Sequence, residues 1–383
     1  MTGPARVLLT CGADTTRDAT SGPRRDYAQI AELLGADVLD RRTVDRSLIG
    51  RLIRATAGLA VAQAWLAFGR RQHYDCVVTD GEHVGIPLAL LLGCSRARIK
   101  HITIGHRLST PKKRPFFRLL RAHRRMDRIA LHSRRQYDVA VSELGIEPIR
   151  LALIPYQVDT RFWQPQPIDE EPLIVSAGLE HRDYATLFRA MVDLPAQVVI
   201  GAASHWSRHG LGDAAPPPNV RIGTFDYASL RDLYARASII VVPLADVDNQ
   251  AGVTTILEGM AMGKPVIVTQ SLGQTDVIED RRAARDKIRP RRMSLTRLFA
   301  SEAGLAIEAN GFYVAPGDAA GLRRSIDYLL AHPDERARLG RAGRQMAEQL
   351  FTVEQFAERI RGLVLASLTP TADPSIVRRA SYE

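Results

Sequence analysis

Cysteine is scarce in this chain of 383 residues: there are three, Cys11, Cys76 and Cys94. An odd number, with two inside apolar strand-like runs, argues for buried thiols in a reducing compartment and against a disulfide scaffold. No spacing of His, Cys, Asp or Glu matches a metal-ligand set, so no metal is expected. Long apolar runs are also missing. The longest, ATAGLAVAQAWLAFG over 55–69, falls short of the roughly 20 residues a bilayer span needs, and Arg51 and Arg54 precede it. The N-terminal MTGPARVLLTCGAD lacks an apolar segment long enough for a signal peptide. The expectation is a cytoplasmic protein, with peripheral attachment to the inner face of a membrane left open. Walker loops and nucleophile elbows are absent, and Gly22 in CGADTTRDATSGPRRDY is too isolated for a dinucleotide fingerprint.

Acids are nearly missing from one stretch. Residues 96–135 hold fourteen Lys and Arg against the single acid Asp127, whereas the whole chain carries a net charge of +10. The basic character therefore belongs to one patch, and the remainder is slightly acidic. Within it, PKKRPFFRLLRAHRRM sets Arg114, Arg118, Arg121 and Arg125 at helical spacing, with Phe117 and Leu120 on another face. That pattern predicts an interfacial helix on an anionic membrane, or else a solvated face with its apolar side on the sheet. Nucleic acid is not an expected partner.

What the chain does have is alternation. Apolar runs at RVLLTC (6–11), ADVLD (36–40), DCVVTD (75–80), RIKHITIG (98–105), RIALHS (128–133) and RLALIPY (150–156) are separated by helical patterns. QPQPIDEEP (164–172) interrupts them with three prolines and three consecutive acids, and reads as a linker. The rhythm restarts with LIVSAG (173–178), QVVIGAA (197–203), VRIGTF (220–225), SIIVVPL (238–244) and PVIVT (265–269), and helical patterns close the chain from Ala319 to about Leu368. Strands apolar on both faces and separated by helices mean parallel sheets covered on both sides. The fold class is α/β: two doubly wound, Rossmann-like domains, with the cleft between them as the default site. The expected division is an N-terminal domain over 1–163, a linker over 164–172 and a C-terminal domain over 173–350. A helix at 351–368 should pack back toward the N-terminal domain, and 369–383 is a tail. Two segments break the rhythm: the proline-rich loop 205–220 and a basic insertion at 279–304, lid or plain surface loop.

Candidate chemistry sits at strand ends. NQAGVTTILEGMAMGKPVIVT (249–269) puts one acid, Glu258, among Ile256, Leu257, Met260 and Met262. A carboxylate there is costly to bury unless something pairs with it. It follows a helix start at Gly252–Thr255, whose N–H groups and dipole suit a phosphate, so Glu258 is placed to accept hydrogen bonds from ribose hydroxyls. The alternative is a plain first-turn acid. Arg182 follows the strand LIVSAG, where a guanidinium can hold a diphosphate; an ordinary solvated Arg beside Asp183 fits the spacing equally well. His106 ends the strand HITIGH, and TDGEHVG places Asp80, Glu82 and His83 at another strand end.

Together, from about residue 75 to 360, these stretches resemble the retaining, two-domain glycosyltransferases of family 4, which have the GT-B fold. GVTTILEGMAMGKPVIVTQSLGQTDVI is similar to the family's donor-site signature; IPYQVDTRFWQP resembles its crossover between domains, and GFYVAPGDAAGLRRSIDYLL its segment before the final helices. The resemblance implies that Glu258 binds the ribose, Arg182 anchors the diphosphate, and His106 contacts acceptor or sugar. It makes Asp159 structural and the N-terminal domain the acceptor-binding one. Gly178 and Thr224, near the ends of LIVSAG and VRIGTF, complete a donor-binding set with Gly252, Val253 and Thr254. Three positions depart from the pattern. Gln250 stands where the family has a Glu contacting the transferred sugar, eight residues before Glu258. Gly178-Leu179 replaces the usual Gly-Arg, with no evident Lys, and the paired glycines of the N-terminal loop reduce to Gly22.

The implied activity is transfer of a sugar, with retention, from a nucleoside diphosphate sugar to a lipid-linked or small-molecule acceptor. No cofactor beyond that co-substrate is called for, because cationic side chains and amides can neutralise the leaving diphosphate. Domain closure would exclude water. The rivals are a non-catalytic binder of an anionic polymer or membrane through the 96–135 patch, and an epimerase or phosphorylase on the same architecture.

Overall fold

In the computed structural model the described residues are 5–15, 22–96, 99–201, 215–280 and 294–369. Most of the proline-rich loop, residues 281–293 of the 279–304 insertion and the tail from 370 lie outside them. The end of that insertion is described, as the helix Leu295–Glu302 with Leu295, Leu298 and Ala300 buried, so the lid-or-loop alternative remains only for 281–293.

The apolar runs become strands, and the inner ones, such as VLLT, CVVT, IIVV and VIVT, bury every residue on both faces. Six form the first sheet: β1 (Val7–Thr10), β2 (Asp37–Leu39), β3 (Cys76–Thr79), β4 (Lys100–Gly105), β5 (Arg128–Leu131) and β6 (Leu151–Leu153). Six more form the second: β7 (Leu173–Ala177), β8 (Gln197–Gly201), β9 (Val220–Gly223), β10 (Ile239–Val242), β11 (Val266–Thr269) and β12 (Gly311–Val314). The strand orders are β2-β1-β3-β4-β5-β6 and β12-β11-β10-β7-β8-β9, with every pairing parallel. The period of two is visible in the cores. Ile240 and Val242 of β10 pack with Val175, Val266 and Val268, whereas Ile239 and Val241 pack on the opposite face with Ile174 and Ile267. Strand order reverses between β1 and β3 in the first sheet and between β7 and β10 in the second, and ligands bind at the carboxyl ends beside such points.

The chain divides into two compact units. The first holds β1–β6 and the C-terminal helix Val353–Leu368; the second is Pro155–Thr352. Phe356, Ala357, Ile360 and Val364 make the buried stripe of that last helix and pack with Ile102 and Ile104 of β4. Trp163, expected at the end of the first domain, is buried in the core of the second unit against Tyr234. The helices before it, Ala319–Ala331 and Pro333–Leu350, begin on Asp318, whose carboxylate accepts from the Gly321 N–H, and on Pro333 at the first helical position.

The sequence reading named five strands in the second half, and the structure has six. GFYV is too short and too close to Pro316 to announce itself, and becomes β12 by pairing with β11. The basic stretch is a second correction. PKKRPFFRLLRAHRRM is not one helix but the short helix Arg114–Arg118 and a separate turn at Ala122–Arg125. Leu119 and Leu120 N–H both bond Pro115 O, and Arg121 turns left-handed at φ 49°. Burial of Phe117 among Leu108, Met126 and Ile129 outweighs helix continuation, so the four arginines share no face.

Candidate functional site

At the carboxyl end of β7 the chain passes through Gly178 and returns with Arg182, which bridges to Leu244 just beyond β10. Three guanidinium N–H groups are committed: Nε donates to Ala177 O at 2.9 Å, Nη1 to Glu180 O at 3.0 Å and Nη2 to the Thr255 hydroxyl at 3.1 Å. A guanidinium has five, so two are left beyond these three bonds, and the Tyr184 hydroxyl competes for one of them. Gly178 and Gly252 make the room. Both have positive φ, 89° and 75°, and a Cβ on either would stand 2.7 Å from Arg182 Nη2 or 3.2 Å from Nη1 respectively. Burial lowers the pKa of Arg182, while Tyr184, Tyr234 and the carboxylates of Glu180 and Glu258 act in the opposite sense.

Gly252 also opens the helix Val253–Ala261, which no side chain caps. Val253 is buried, Thr254 is exposed and Thr255 holds Arg182. Glu258 lies in the second turn, not at the helix start. Its Oε2 accepts a 3.3 Å hydrogen bond from the hydroxyl of Tyr234, a fully buried residue of the helix Tyr227–Arg236. Burial first, then the Glu258 charge, raises the Tyr234 pKa well above 10, so the phenol stays a neutral donor. The half-buried carboxylate thus has a partner within the protein.

Two loops beside this group are stitched together: Leu272 N–H donates to Asp246 Oδ1, Gly273 N–H to Val247 O and the Gln274 amide to Ala251 O. Across them, Asn249 Oδ1, Gln250 Oε1, Gln270 Oε1, Ser271 Oγ and Gln274 Oε1 are buried without a hydrogen-bond partner. Five orphaned polar oxygens in two adjoining loops are costly unless a ligand or water supplies donors.

In the first unit, β3 and β4 end at Asp80 and His106. His106 Nε2 lies 3.7 Å from Asp80 Oδ1 and its ring centroid 5.4 Å from that of His132. Burial depresses the His106 pKa, but Asp80, with Glu82 and Asp26 behind it, more than offsets this and raises it to about 9. The ring is 41% exposed, and the nearby carboxylates favour its imidazolium form. His132 is pushed down to about 3 by burial and by that charge. Asp26 is raised to about 6, by burial and then by Asp80. Glu82 is buried and organises the next loop: Oε2 accepts the His106 N–H at 2.9 Å, and Oε1 accepts the Arg107 N–H at 3.2 Å and Lys113 Nζ. Burial raises its pKa, but Lys113 and His106 win and hold it at about 2. Among the described residues, no group of three or more His, Cys, Asp or Glu could hold a metal ion.

Both sheets have counterparts in solved structures. A glycosyltransferase from Rickettsia africae matches over 97% of this chain and 100% of its own, with a TM-score of 0.66 at 14% identity. The chain has the GT-B fold. Sucrose-phosphate synthase from Thermosynechococcus elongatus matches over 94% of this chain and 98% of its own (TM-score 0.62, 18% identity). HepE of Anabaena, solved with UDP and glucose, matches over 94% and 100% (TM-score 0.61, 14% identity). Residues 182–362 match the family model described as glycosyl transferase-like. No curated relative matches the sequence.

On this GT-B frame, Arg182, Gly178, Gly252, Val253, Thr254 and Glu258 gather where strand order reverses in the second unit. Gln250 belongs to the adjoining loops. Thr224 stands apart: it is exposed after β9, the edge strand, two strands from β7, and no bond among the described residues joins it to Arg182. Asp159 is buried and its carboxylate accepts the Arg161 N–H at 3.1 Å, shaping the local turn. Sequence reasoning missed Tyr234, Gln270 and Gln274. The first carries no motif; the other two follow β11 inside a quoted signature and could have been noticed as amides at a strand end.

Proposed function

We propose that this protein is a retaining, metal-independent glycosyltransferase that moves a sugar from a nucleoside diphosphate sugar to a hydroxyl acceptor. The observation that carries this is Arg182, pinned between two glycines at the reversal point beside an uncapped helix start and Glu258. Negative charge grows on the departing diphosphate as the sugar becomes oxocarbenium-like. The guanidinium N–H groups not spent on Ala177, Glu180 and Thr255 and the helix amides are prepositioned to meet it. Glu258 takes the ribose hydroxyls beside Tyr234. The orphaned amides face the sugar hydroxyls, and His106 serves the acceptor side as a cation. UDP-sugars are the first donors to test, since a HepE structure holds UDP-glucose. Release of nucleoside diphosphate from a donor library, followed by product analysis for a new glycosidic bond with retained configuration, tests the reading. Donor consumption without a glycosidic product would instead indicate an epimerase.

The division of the donor site is separately testable. Glu258→Gln keeps the shape and loses the charge, so nucleoside diphosphate affinity should fall by roughly 1–3 kcal/mol. Gln250→Glu should shift the preference among donor sugars and leave free nucleotide affinity nearly unchanged. If competition assays find Gln250→Glu weakening the nucleotide as much as Glu258→Gln does, the two ends are misassigned.

The basic surface supports a second reading, peripheral attachment to an anionic membrane. Without a continuous helix, the apolar side chains turned outward are Phe116, Leu119 and Leu120, beside Arg118 and Arg121. No helix among the described residues is long and apolar enough to cross a membrane. Co-sedimentation with anionic liposomes at low salt should be lost on neutralising Arg118 and Arg121. No sedimentation, or none of that loss, ends the membrane reading.

A further inference from the structure

Away from the Arg182–Glu258 group, the second unit carries a cavity of about 480 Å³, within the range of small-molecule sites. It lies beyond the C-terminal end of the helix Val253–Ala261, at the far end from the uncapped start. Pro165, Ala235 and Met262 give it an apolar wall, while Lys264, Arg341 and Arg344 bring cations to it.

These cations are not equally spent. Arg344 is committed: Nη1 donates to the carbonyls of Thr160, Trp163 and Ala261, and Nη2 pairs with Glu348 at 2.6 Å. The Lys264 side chain is 13% exposed, and its one ion pair among the described residues is a loose 3.8 Å contact with Glu170 Oε2. Glu170 is already engaged through Oε1 by Arg336, at 2.7 Å and 3.0 Å. Burial lowers the Lys264 pKa and Arg336 acts in the same sense, against the pull of Glu170. Arg341 is exposed on the helix Pro333–Leu350, and its side chain makes no ion pair or hydrogen bond among the described residues. A half-buried lysine whose ammonium makes only a loose carboxylate contact, and an unspent guanidinium fork, therefore line one cavity with an apolar wall.

We propose that this cavity binds a small phosphate monoester. Its dianion is taken by Lys264 as a point charge and by Arg341 as a fork, and its apolar body lies on Met262 and Ala235. The two facing acids do not forbid it, since Arg336 and Arg344 already neutralise Glu170 and Glu348. The inference is independent of the transferase reading.

Calorimetric titration with phenyl phosphate tests it, with phenol, inorganic phosphate and benzoate as comparisons. The expected result is one site per chain, filled equally well in the wild type and in Arg182→Ala. Phenol should not bind, and inorganic phosphate and benzoate should bind more weakly. Lys264→Met and Arg341→Ala should each weaken phenyl phosphate at least tenfold. Arg341 is exposed, so its variant decides even if Lys264→Met fails to fold, which thermal melting reports. Absence of binding, unchanged binding in Arg341→Ala, or loss caused by Arg182→Ala would each overturn the assignment. Benzoate binding as tightly as phenyl phosphate would overturn the phosphate ester.

Discussion

Arg182→Ala is expected to lower donor turnover by roughly a hundredfold, the usual cost of losing one preorganised group that stabilises a developing anion. Arg182→Lys should recover only part. The native side chain spends three of its five N–H groups on Ala177 O, Glu180 O and Thr255 and keeps others for a ligand. A lysine has three in total, so it can hold the loop or meet the diphosphate, not both. Thermal melting separates a broken loop from a lost charge. If Arg182→Lys melts lower than wild type yet turns over donor at the wild-type rate, Arg182 is a structural pin. Full activity in Arg182→Ala would remove it from the site altogether.

The second large effect concerns Glu82. Glu82→Gln should destabilise the first unit by about 3–5 kcal/mol, because it removes a buried charge that Lys113 depends on. The pH dependence has a definite sign. The folded carboxyl titrates at about 2 against an ordinary 4.5. Its contribution is therefore complete above about pH 4.5 and is lost as pH falls toward 2. Urea unfolding between pH 7 and pH 3 should show wild-type stability dropping across that window, with the drop shallower in Glu82→Gln. Equal stability of the two proteins at pH 7 would mean that the buried pair is not what holds residues 106–113. Since Glu82 anchors the His106 N–H, Glu82→Gln should also impair acceptor use more than nucleotide binding.

Much of the architecture could be read from one dimension. Runs such as VLLT, CVVT, IIVV and VIVT are β-branched and apolar on both faces, which only covered parallel strands satisfy. Their alternation with helices made two doubly wound sheets the expectation, and the GT-B resemblance rested on motifs that are contiguous in sequence. Arg182 and His106 stand out because each is a charged or titratable residue just past an apolar run, and Glu258 because it is the one acid inside an apolar helix.

What tertiary structure alone decided was where local signals were outweighed by distant contacts. The helical spacing of Arg114, Arg118, Arg121 and Arg125 lost to the burial of Phe117, a cost that spacing does not register. GFYV became a strand only because β11 offered an open edge. The partner of Glu258 is Tyr234, 24 residues away on another helix, and the partner of Glu82 is Lys113, 31 residues on. Periodicity reports which face of an element is apolar. It carries no information about which buried hydroxyl, ammonium or carbonyl a carboxylate will meet, because packing of elements far apart in the chain fixes that pairing.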